Sequence, residues 1–455
     1  MLRKIYPPES ISDQPEDLIA HAYDAAAAAP ERPPDIVAFP TNTGQISDTL
    51  KLANQFRFPV TARGAGTGAV GASVPIRGGA ALILTRMNRV LQIDQQNLTA
   101  LVEPGLVTGK FQAQVERLGL FYPPDPASLN VSTLGGNVAM GSGGPRGVKY
   151  GVTRDYVLGL EVVLPDGSII NTGAQTVKSV VGYDLTRLMV GSEGTLGIVT
   201  KIRLRLLPKP EAMRTLLASF AQVAQAALAV TAIIQARIIP CALELMDKGS
   251  VAAVESLLKS GLPEAALLLI ETDGPAEQAQ REMEAIERIL REHGAGEVHS
   301  AATGAERDRL WKARRSMSQA TARMAANKIN EDVTVPRSRI PDLITGLEDL
   351  SARTGVRIIS FGHAGDGNMH VNILTDKRDA IHWAKAQEAV GELFNLTLRL
   401  GGSLSGEHGI GLAKAKYIES EIGAKGIEIT RALKKLFDPN NILNPGKIIP
   451  DEEFS

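Results

Sequence analysis

Glycine is distributed unevenly along this chain of 455 residues, and its distribution limits the folds that the chain can form. Seven glycines lie between Gly135 and Gly151, and six lie between Gly64 and Gly79. From residue 34 to residue 208, short β-rich runs alternate with Gly/Pro turns, and long helical patterns are few. Glycine turns allow the backbone to approach a ligand closely. The pattern therefore predicts a sheet-based first domain with ligand-binding loops.

The first of these loops matches the GxGxxG pattern of dinucleotide-binding folds, from Gly66 to Gly71. In those folds a helix begins on the loop and directs its N-terminal amides at the pyrophosphate. Here the next residues read Ala-Ser-Val-Pro-Ile-Arg-Gly-Gly, which cannot sustain a helix. Arg86 also occupies the region where an acidic ribose ligand is expected. A Rossmann site is therefore excluded, and the loop 63–71 remains as a run of amides that can wrap a diphosphate.

Two further loops, 123–144 and 191–198, carry glycine beside serine and threonine. Three such loops in one domain predict a large diphosphate cofactor that is bound along its length. The candidate cofactor-binding residues in the three loops are Arg63, Gly64, Ala65, Gly66, Thr67, Gly68, Pro124, Asp125, Ser128, Ser132, Thr133, Gly135, Gly136, Asn137, Ser142, Gly143, Glu193, Gly194, Gly197 and Ile198.

Three of the seven histidines lie in two glycine-rich motifs of the C-terminal half. Residues 362–372 read Gly-His-Ala-Gly-Asp-Gly-Asn-Met-His-Val-Asn and contain His363 and His370. Residues 405–411 read Ser-Gly-Glu-His-Gly-Ile-Gly and contain Glu407 and His408. Two imidazoles and a carboxylate can bind a divalent metal with positions open for a substrate, so His363, His370 and Glu407 predict a metal site. His408 is then left to move protons near neutral pH.

Length, charge and cysteine content restrict the class of protein. A chain of this length exceeds a single core and is expected to form two or three domains. Its 49 basic and 50 acidic residues give a net charge of −1, which does not indicate nucleic-acid binding. A single cysteine, Cys241, indicates a reducing compartment and excludes an iron–sulfur cluster held by this chain alone. No leader-like or membrane-spanning apolar stretch is present, so we expect a soluble, cytoplasmic protein.

The character of the sequence changes after Pro-Lys-Pro at residues 208–210. Helices are predicted at 219–236, 249–259, 276–293 and 305–324, and strands at 265–272 and 357–362. The last fifty-five residues return to turn-rich sequence. We therefore expect a first domain over residues 1–209, a second over 210–400 and a C-terminal segment over 401–455.

Six motifs in this order resemble the FAD-linked oxidase family, whose flavin domain is of the vanillyl-alcohol oxidase type. They also resemble its branch of D-lactate, glycolate and D-2-hydroxyglutarate dehydrogenases. The motifs lie at 63–68, 132–137, 191–197, 362–372, 406–411 and 444–447. The resemblance implies an α+β fold, with a two-subdomain FAD-binding domain and an α+β cap domain. The cap is expected to have an antiparallel sheet with helices over one side, and segment 401–455 to return to the flavin domain and active site, with Asn444 at the cofactor.

Some proteins of this fold bind flavin covalently through a histidine or cysteine near the first loops. Between Tyr23 and Gln235 this chain has neither residue. We therefore expect FAD to be bound without a covalent link.

Oxidation of a 2-hydroxy acid removes the hydroxyl proton and passes the α-hydrogen to flavin N5 as hydride. The resemblance implies that zinc or manganese on the three metal-binding residues contacts the substrate and that His408 is the base, also touching the substrate. Arg314 and Ser318, spaced i and i+4 on one predicted helix, match a carboxylate-binding pair. Lys328 matches a further basic contact. Asn372, two residues after His370 on the same strand face, suits a substrate contact.

Several alternatives remain open from the sequence. The substrate is expected to be D-lactate or glycolate, and D-2-hydroxyglutarate is the alternative within the family. A metal-dependent hydrolase without flavin and a non-catalytic flavoprotein subunit are the alternatives outside it. Electrons are expected to pass to an external acceptor, which would be an electron-transfer flavoprotein, an iron–sulfur subunit, a quinone or a cytochrome. A homodimer and a peripheral position at the inner face of a membrane through a partner are compatible with the sequence.

Overall fold

The computed structural model describes residues 1–26 and 32–450. The chain forms two compact units. Unit 1 consists of residues 1–143, 152–209 and 407–455, and unit 2 consists of residues 144–151 and 210–406. The divisions fall between Lys209 and Pro210 and between Gly406 and Glu407. In the described residues, no helix is long and apolar enough to cross a membrane.

The strands, in chain order, are β1 (Ile11–Ser12), β2 (Ile36–Ala38), β3 (Val60–Arg63), β4 (Ala80–Ile83), β5 (Val90–Asp94), β6 (Thr99–Val102), β7 (Leu120–Phe121), β8 (Val157–Val163), β9 (Ile169–Gly173), β10 (Ile198–Arg205), β11 (Leu207–Pro208), β12 (Ala212–Phe220), β13 (Ala242–Met246), β14 (Ala266–Gly274), β15 (Val298–Ser300), β16 (Asn327–Thr334), β17 (Ile358–His363) and β18 (Asn368–Thr375).

The α-helices are α1 (Pro15–Ala20), α2 (Thr43–Phe56), α3 (Thr108–Glu116), α4 (Leu134–Met140), α5 (Gly147–Tyr150), α6 (Leu185–Met189), α7 (Val223–Gln235), α8 (Lys248–Leu258), α9 (Ala276–Glu292), α10 (Gly304–Arg315), α11 (Met317–Ala322), α12 (Ile340–Thr354), α13 (Ala380–Arg399) and α14 (Ile418–Phe437). Single 3₁₀ turns lie at Leu2–Lys4, Pro8–Ser10, Leu84–Arg86, Thr153–Asp155, Arg337–Arg339 and Ala415–Tyr417.

Unit 1 contains two larger sheets. The first has the order β1-β2-β4-β3, and its last three strands run parallel. The second has the order β5-β6-β10-β8-β9 and is antiparallel throughout. The GxGxxG loop leads from β3 to β4 without an intervening helix, as expected from its sequence.

The C-terminal segment of unit 1 joins the parallel sheet. The amide of Val60 donates to Ile442, and the amide of Asn444 donates back to Val60. Ile442 and Leu443 are buried in one apolar cluster with residues from the first hundred of the chain. Burial of these side chains holds the last motif beside the first glycine loop.

Unit 2 is built on one antiparallel sheet with the order β15-β12-β14-β13-β17-β18-β16. The short excursion 144–151 belongs to this unit because two of its side chains bind Asp273 at the end of β14. Lys149 Nζ lies 2.5 Å from one carboxylate oxygen, and the Tyr150 hydroxyl donates to the other at 2.7 Å.

Helices cover both faces of this sheet. On β14, Thr272 donates its hydroxyl to the carbonyl of Ala279 in α9. The adjacent Glu271 accepts hydrogen bonds from Arg307 and Trp311 of α10. Successive strand residues point to opposite faces, so α9 and α10 lie on opposite sides. The expectation of helices over one side is therefore wrong.

Several predicted element boundaries also differ. The helix predicted from residue 219 begins at Val223, because Ser219 and Phe220 continue β12. The helix predicted over 305–324 is divided at Ser316, whose hydroxyl bonds back to the carbonyl of Lys312. The expected turn-rich C-terminus contains α14, twenty residues long with a kink at Gly423. Only Ile418 and Ile427 of α14 are buried.

Candidate functional site

Four neighbouring strands of unit 2 place polar side chains on one face of the sheet. Directly opposed antiparallel residues project to the same side. Glu244 of β13 is opposite His363 of β17, and Phe361 of β17 is opposite His370 of β18. Asn372 follows two residues after His370 and therefore shares its face, as the sequence predicted.

His363 and His370 form a pair whose spacing suits a metal ion. Their Nε2 atoms are 3.4 Å apart, and both side chains are buried. Two imidazole nitrogens bound to one tetrahedral zinc at about 2.0–2.1 Å would lie about 3.3 Å apart. The donor atoms and their separation therefore fit a divalent metal.

Glu244 is a functional candidate that the sequence analysis did not identify. Its side chain is fully buried. His363 Nδ1 lies 2.8 and 3.0 Å from the two carboxylate oxygens, and Arg314 NH2 lies 2.5 Å from one of them. Burial raises the pKa of Glu244, but the charges and hydrogen bonds of Arg314 and His363 outweigh burial and lower it below its usual range. A lone acid within an otherwise apolar strand was the available sequence signal.

Arg314 and Ser318 do not lie on one face of a single helix, because the break at Ser316 separates α10 from α11. Arg314 is buried and stacks over the ring of Phe361, 5.0 Å from its centroid. Ser318 is exposed and accepts hydrogen bonds from Lys328 Nζ through its carbonyl and hydroxyl. Burial lowers the pKa of Lys328 to about 8. Of the predicted substrate-binding residues, Arg314 therefore pairs with Glu244, whereas Ser318 and Lys328 bond to each other.

Two amide side chains on the same face retain hydrogen-bonding capacity. Asn372 is fully buried and donates only long bonds, of 3.3 and 3.4 Å, to His370 and Ile359 carbonyls. Among the described residues, neither its Oδ1 nor that of the opposed Asn330 has a hydrogen-bond partner. Buried oxygens of this kind suit a ligand that donates hydrogen bonds.

Asp332 binds residues 405 and 406 at the C-terminal end of unit 2. It is fully buried, opposite His370 on the neighbouring strand. It accepts hydrogen bonds from the amide of Gly406 at 2.8 Å and the hydroxyl of Ser405 at 3.1 Å. A side chain at Gly406 would collide with Asn368 and Thr334, so glycine is required there. Glu407 and His408 follow in the chain and belong to unit 1.

In unit 1, the loop after β3 offers backbone amides to an anion. Within the described ranges 1–26 and 32–450, the amides of residues 65–68 donate to no protein atom. Arg63, at the start of the loop, is buried and directs NH1 to the carbonyls of His21 and Tyr23. Its Nε has no hydrogen-bond partner in the described part of the chain. Consecutive free amides beside a cation fit a diphosphate cofactor.

The side chains of several predicted cofactor-binding residues form hydrogen bonds with other groups of the protein. Thr133 caps α4 by accepting from the amide of Gly136, and Asn137 donates to Thr108. Ser132 contacts the same Thr108. Asn444 donates to the carbonyls of Ala72 and Glu193. These side chains therefore help to hold the loops in their conformation.

Glu193 connects two of the motifs. Its carboxylate accepts hydrogen bonds from the amides of Ile410 and Gly411 at 2.7 and 2.8 Å. Burial raises its pKa to about 7, although these amides and the nearby Lys447 and Lys414 lower it. Its side chain therefore joins loop 191–197 to the motif 406–411.

Glu407 and His408 lie at the start of that motif. Glu407 Oε1 is 3.9 Å from His408 Nε2. A side chain at Gly143 would come within 2.8 Å of Glu407 Oε2, so glycine at this position leaves space for the carboxylate. Gly409 is held at φ +84° against Met140 and Glu193, which also favours glycine.

Two family models match the chain, and the boundary between them lies near the change of unit at residues 209–210. Residues 34–173 match the family model described as "FAD binding domain", and residues 209–448 match "FAD linked oxidases, C-terminal domain".

Curated relatives align along nearly the whole chain. The glycolate oxidase subunit GlcD of Bacillus subtilis is 47% identical over 443 residues, covering 97% of this chain and 94% of that protein. GlcD of Escherichia coli K12 is 38% identical, covering 99% of this chain and 90% of that protein. A D-lactate dehydrogenase of Anaerostipes hadrus is 36% identical, covering 94% and 92%.

Solved structures show the same fold at lower identity. p-Cresol methylhydroxylase superposes with a TM-score of 0.84 at 19% identity, covering 100% of this chain and 96% of that one. 4-Ethylphenol oxidase of Gulosibacter chungangensis gives 0.81 at 20% identity, covering 99% and 97%.

The matched models and the site together define an FAD-dependent oxidoreductase with an α+β fold and a flavin domain of the vanillyl-alcohol oxidase type. The chain belongs to the FAD-linked oxidase family. This result confirms the resemblance that its motifs indicated and excludes a hydrolase without flavin.

The raised pKa of Glu193 predicts a dependence of stability on pH. The group carries its proton in the folded protein up to about pH 7, whereas it loses the proton near pH 4.3 in the unfolded chain. The folded state therefore binds more protons between these values, and its stability decreases as the pH rises through them. Relative to Glu193→Gln, the wild type should lose about 3 kcal/mol between pH 4.5 and pH 7.5.

Urea unfolding of both proteins at several pH values measures this difference. Glutamine retains the shape and one of the two acceptor oxygens. The loss of the second acceptor shifts stability equally at every pH, so the change in the difference with pH reports the titration. Parallel stability curves for the two proteins would contradict the prediction.

Proposed function

We propose that this protein oxidises a small D-2-hydroxy acid, D-lactate or glycolate, to the 2-oxo acid, using FAD bound without a covalent link. The observation that supports this most is the polar face of unit 2. There His363, which is paired with His370, and Arg314 both contact the buried carboxylate of Glu244. A histidine pair spaced for a metal ion, beside a buried guanidinium, suits a substrate with a hydroxyl next to a carboxylate. The names of the relatives, glycolate oxidase and D-lactate dehydrogenase, support the same substrate class.

Arg314 would bind the substrate carboxylate. Among the described residues its buried Nε has no hydrogen-bond partner, so the guanidinium retains a donor after pairing with Glu244. The unsatisfied Oδ1 of Asn372 would accept a hydrogen bond from the substrate. Together these contacts would orient the substrate for reaction.

The metal ligands in this proposal are His363, His370 and Glu407. Glu407 follows Gly406, whose amide is bound by Asp332 opposite His370. The ion would be zinc or manganese, and when bound it would polarise the substrate hydroxyl as a Lewis acid. Bound FAD would supply the hydride acceptor.

His408 would remove the hydroxyl proton through one of its ring nitrogens. An imidazole can accept a proton near neutral pH. Its neighbour Glu407 has a carboxylate oxygen 3.9 Å from His408 Nε2.

A second candidate substrate is D-2-hydroxyglutarate. Lys328 is held beside Ser318 and, with its pKa near 8, carries a charge at neutral pH. A second cation in unit 2 would suit a second carboxylate.

The electron acceptor would be external to this chain. One cysteine cannot hold an iron–sulfur cluster. Two relatives are named as subunits, which supports a partner protein as acceptor. An electron-transfer flavoprotein, an iron–sulfur subunit, a quinone and a cytochrome are the candidate classes. The proposed location is the cytoplasm or, through that partner, the inner membrane face.

A substrate panel tests the reaction. D-lactate, L-lactate, glycolate and D-2-hydroxyglutarate are supplied with an artificial electron acceptor, and kcat/KM is measured for each. We expect D-lactate or glycolate to give the highest value and L-lactate to be a poor substrate. A highest value for D-2-hydroxyglutarate would select the second candidate. No flavin reduction by any compound would indicate a non-catalytic subunit.

Metal analysis of the purified flavoprotein tests the ligand set. Wild type should contain a stoichiometric divalent metal, and His370→Ala should lose it while its flavin absorbance is unchanged. The matched control is His382→Ala, because His382 bonds only to Thr375 in the described residues. Full metal content in His370→Ala would contradict the assignment.

Substitution of His408 tests the base. His408→Asn should lower kcat by about 10² to 10⁴, because the proton transfer is made in the transition state. Flavin absorbance and substrate-induced spectral changes should remain. Retention of more than about a tenth of wild-type kcat would exclude a general-base role.

A further inference from the structure

One buried carboxylate of unit 2 touches two groups that the proposed function assigns to different tasks. Glu244 lies in β13, whose five residues are all buried. The other four residues of the strand are apolar, and the exposed fraction of Glu244 is 0%. Burial of a charge in such a strand is costly unless it is paired. Its two partners, His363 and Arg314, provide that pairing.

The contact with His363 determines which ring nitrogen faces the proposed metal. Glu244 accepts from Nδ1, so the neutral imidazole carries its proton there and presents the lone pair of Nε2. That Nε2 is the atom 3.4 Å from Nε2 of His370. A carboxylate behind a ligating histidine fixes the tautomer and raises the basicity of the ligand.

The contact with Arg314 determines the orientation of the guanidinium. One terminal nitrogen lies 2.5 Å from Glu244, and the plane stacks over Phe361. With these contacts fixed, the buried Nε remains available to an anion. Without Glu244 the Arg314 cation would lose the one ionic partner that it has among the described residues, and with it its fixed position.

Both contacts follow from strand pairing. Glu244 and His363 are directly opposed across β13 and β17, and Phe361 lies two residues before His363 on the same face. The register of the sheet therefore places the carboxylate beside His363 and near Phe361, and Arg314 of α10 reaches it by packing over Phe361.

We propose that Glu244 is a positioning residue that couples the metal site to the carboxylate-binding site by holding His363 and Arg314 together. This inference rests on the proposed function. It predicts that loss of the Glu244 charge weakens metal binding and substrate binding in the same variant, although Glu244 touches neither ligand.

A matched control separates this role from the general stabilisation that any buried ion pair provides. Glu271, in the adjacent strand β14, is also buried and accepts from Arg307 and Trp311. It has no bond to His363 or Arg314 among the described residues. Glu271→Gln therefore removes a similar buried charge without touching the proposed site.

The experiment compares Glu244→Gln, Glu244→Asp and Glu271→Gln with wild type. Metal-depleted flavoprotein is titrated with Zn²⁺ or Mn²⁺ in a calorimeter, and kcat and KM are measured at saturating metal. Glu244→Gln should bind metal about 10- to 100-fold more weakly and should show a raised KM. Glu244→Asp keeps the charge and should recover part of both losses. Glu271→Gln should lower the melting temperature but leave metal affinity and KM at wild-type values.

The outcomes distinguish the inference from the function on which it rests. If wild type binds no metal, the proposed metal site is refuted. If wild type binds metal and Glu244→Gln matches it in affinity and KM, only the role of Glu244 is refuted. Equal losses of metal affinity and equal increases of KM in Glu244→Gln and Glu271→Gln would mean that Glu244 only stabilises the fold as part of an ion pair. If Glu244→Gln does not fold, the same comparison is made with Glu244→Asp, and wild-type metal affinity and KM in that variant would refute the role.

Discussion

The register of the antiparallel sheet in unit 2 is the constraint on which the proposed site depends. Side chains alternate between the two faces of a strand. A shift of the strand pairing by one residue would therefore move all the site side chains of that strand to the other face of the sheet. The observed pairing sets Glu244 opposite His363 and Asp332 opposite His370. The turn between β17 and β18 helps to fix this register, because Gly367 has φ +92° and packs against the carbonyl of Val335. A side chain there would displace the hairpin.

Burial of charge on this face is tolerated because each acid has a specific partner. Glu244 has an arginine and an imidazole, and Asp332 has the amide of Gly406 and a hydroxyl. A partly paired buried acid would destabilise the fold, so the partners must be present together. The pairing that the fold requires also orients the side chains of the proposed site. These side chains are therefore in position before any ligand binds.

The sequence predicted the general architecture and supplied most of the candidate site residues, because their signals are local. The residues that follow the GxGxxG pattern excluded a Rossmann loop, and the loop after β3 indeed has no helix. His363 and His370 stand in one short motif, and the structure brings their Nε2 atoms together. Glu244 could not be assigned from its own surroundings, since its function depends on a strand more than a hundred residues away. The break at Ser316 was missed because a serine–backbone bond, not apolar periodicity, ends α10.

The order of six separated motifs along the chain has a physical explanation in unit 1. Asn444, in the last motif, donates to Ala72 just after the first glycine loop and to Glu193 in the third. The carboxylate of Glu193 in turn binds the amides of Ile410 and Gly411 in the fifth. Three motifs and the segment after the first glycine loop are therefore joined by one chain of buried hydrogen bonds. Loss of any member would leave buried donors or acceptors unsatisfied in the others, which costs about 1–3 kcal/mol for each group. The side chains in these motifs hold the loops in place. The amides of residues 65–68 in the first loop, which donate to no protein atom in the described residues, are left for a diphosphate.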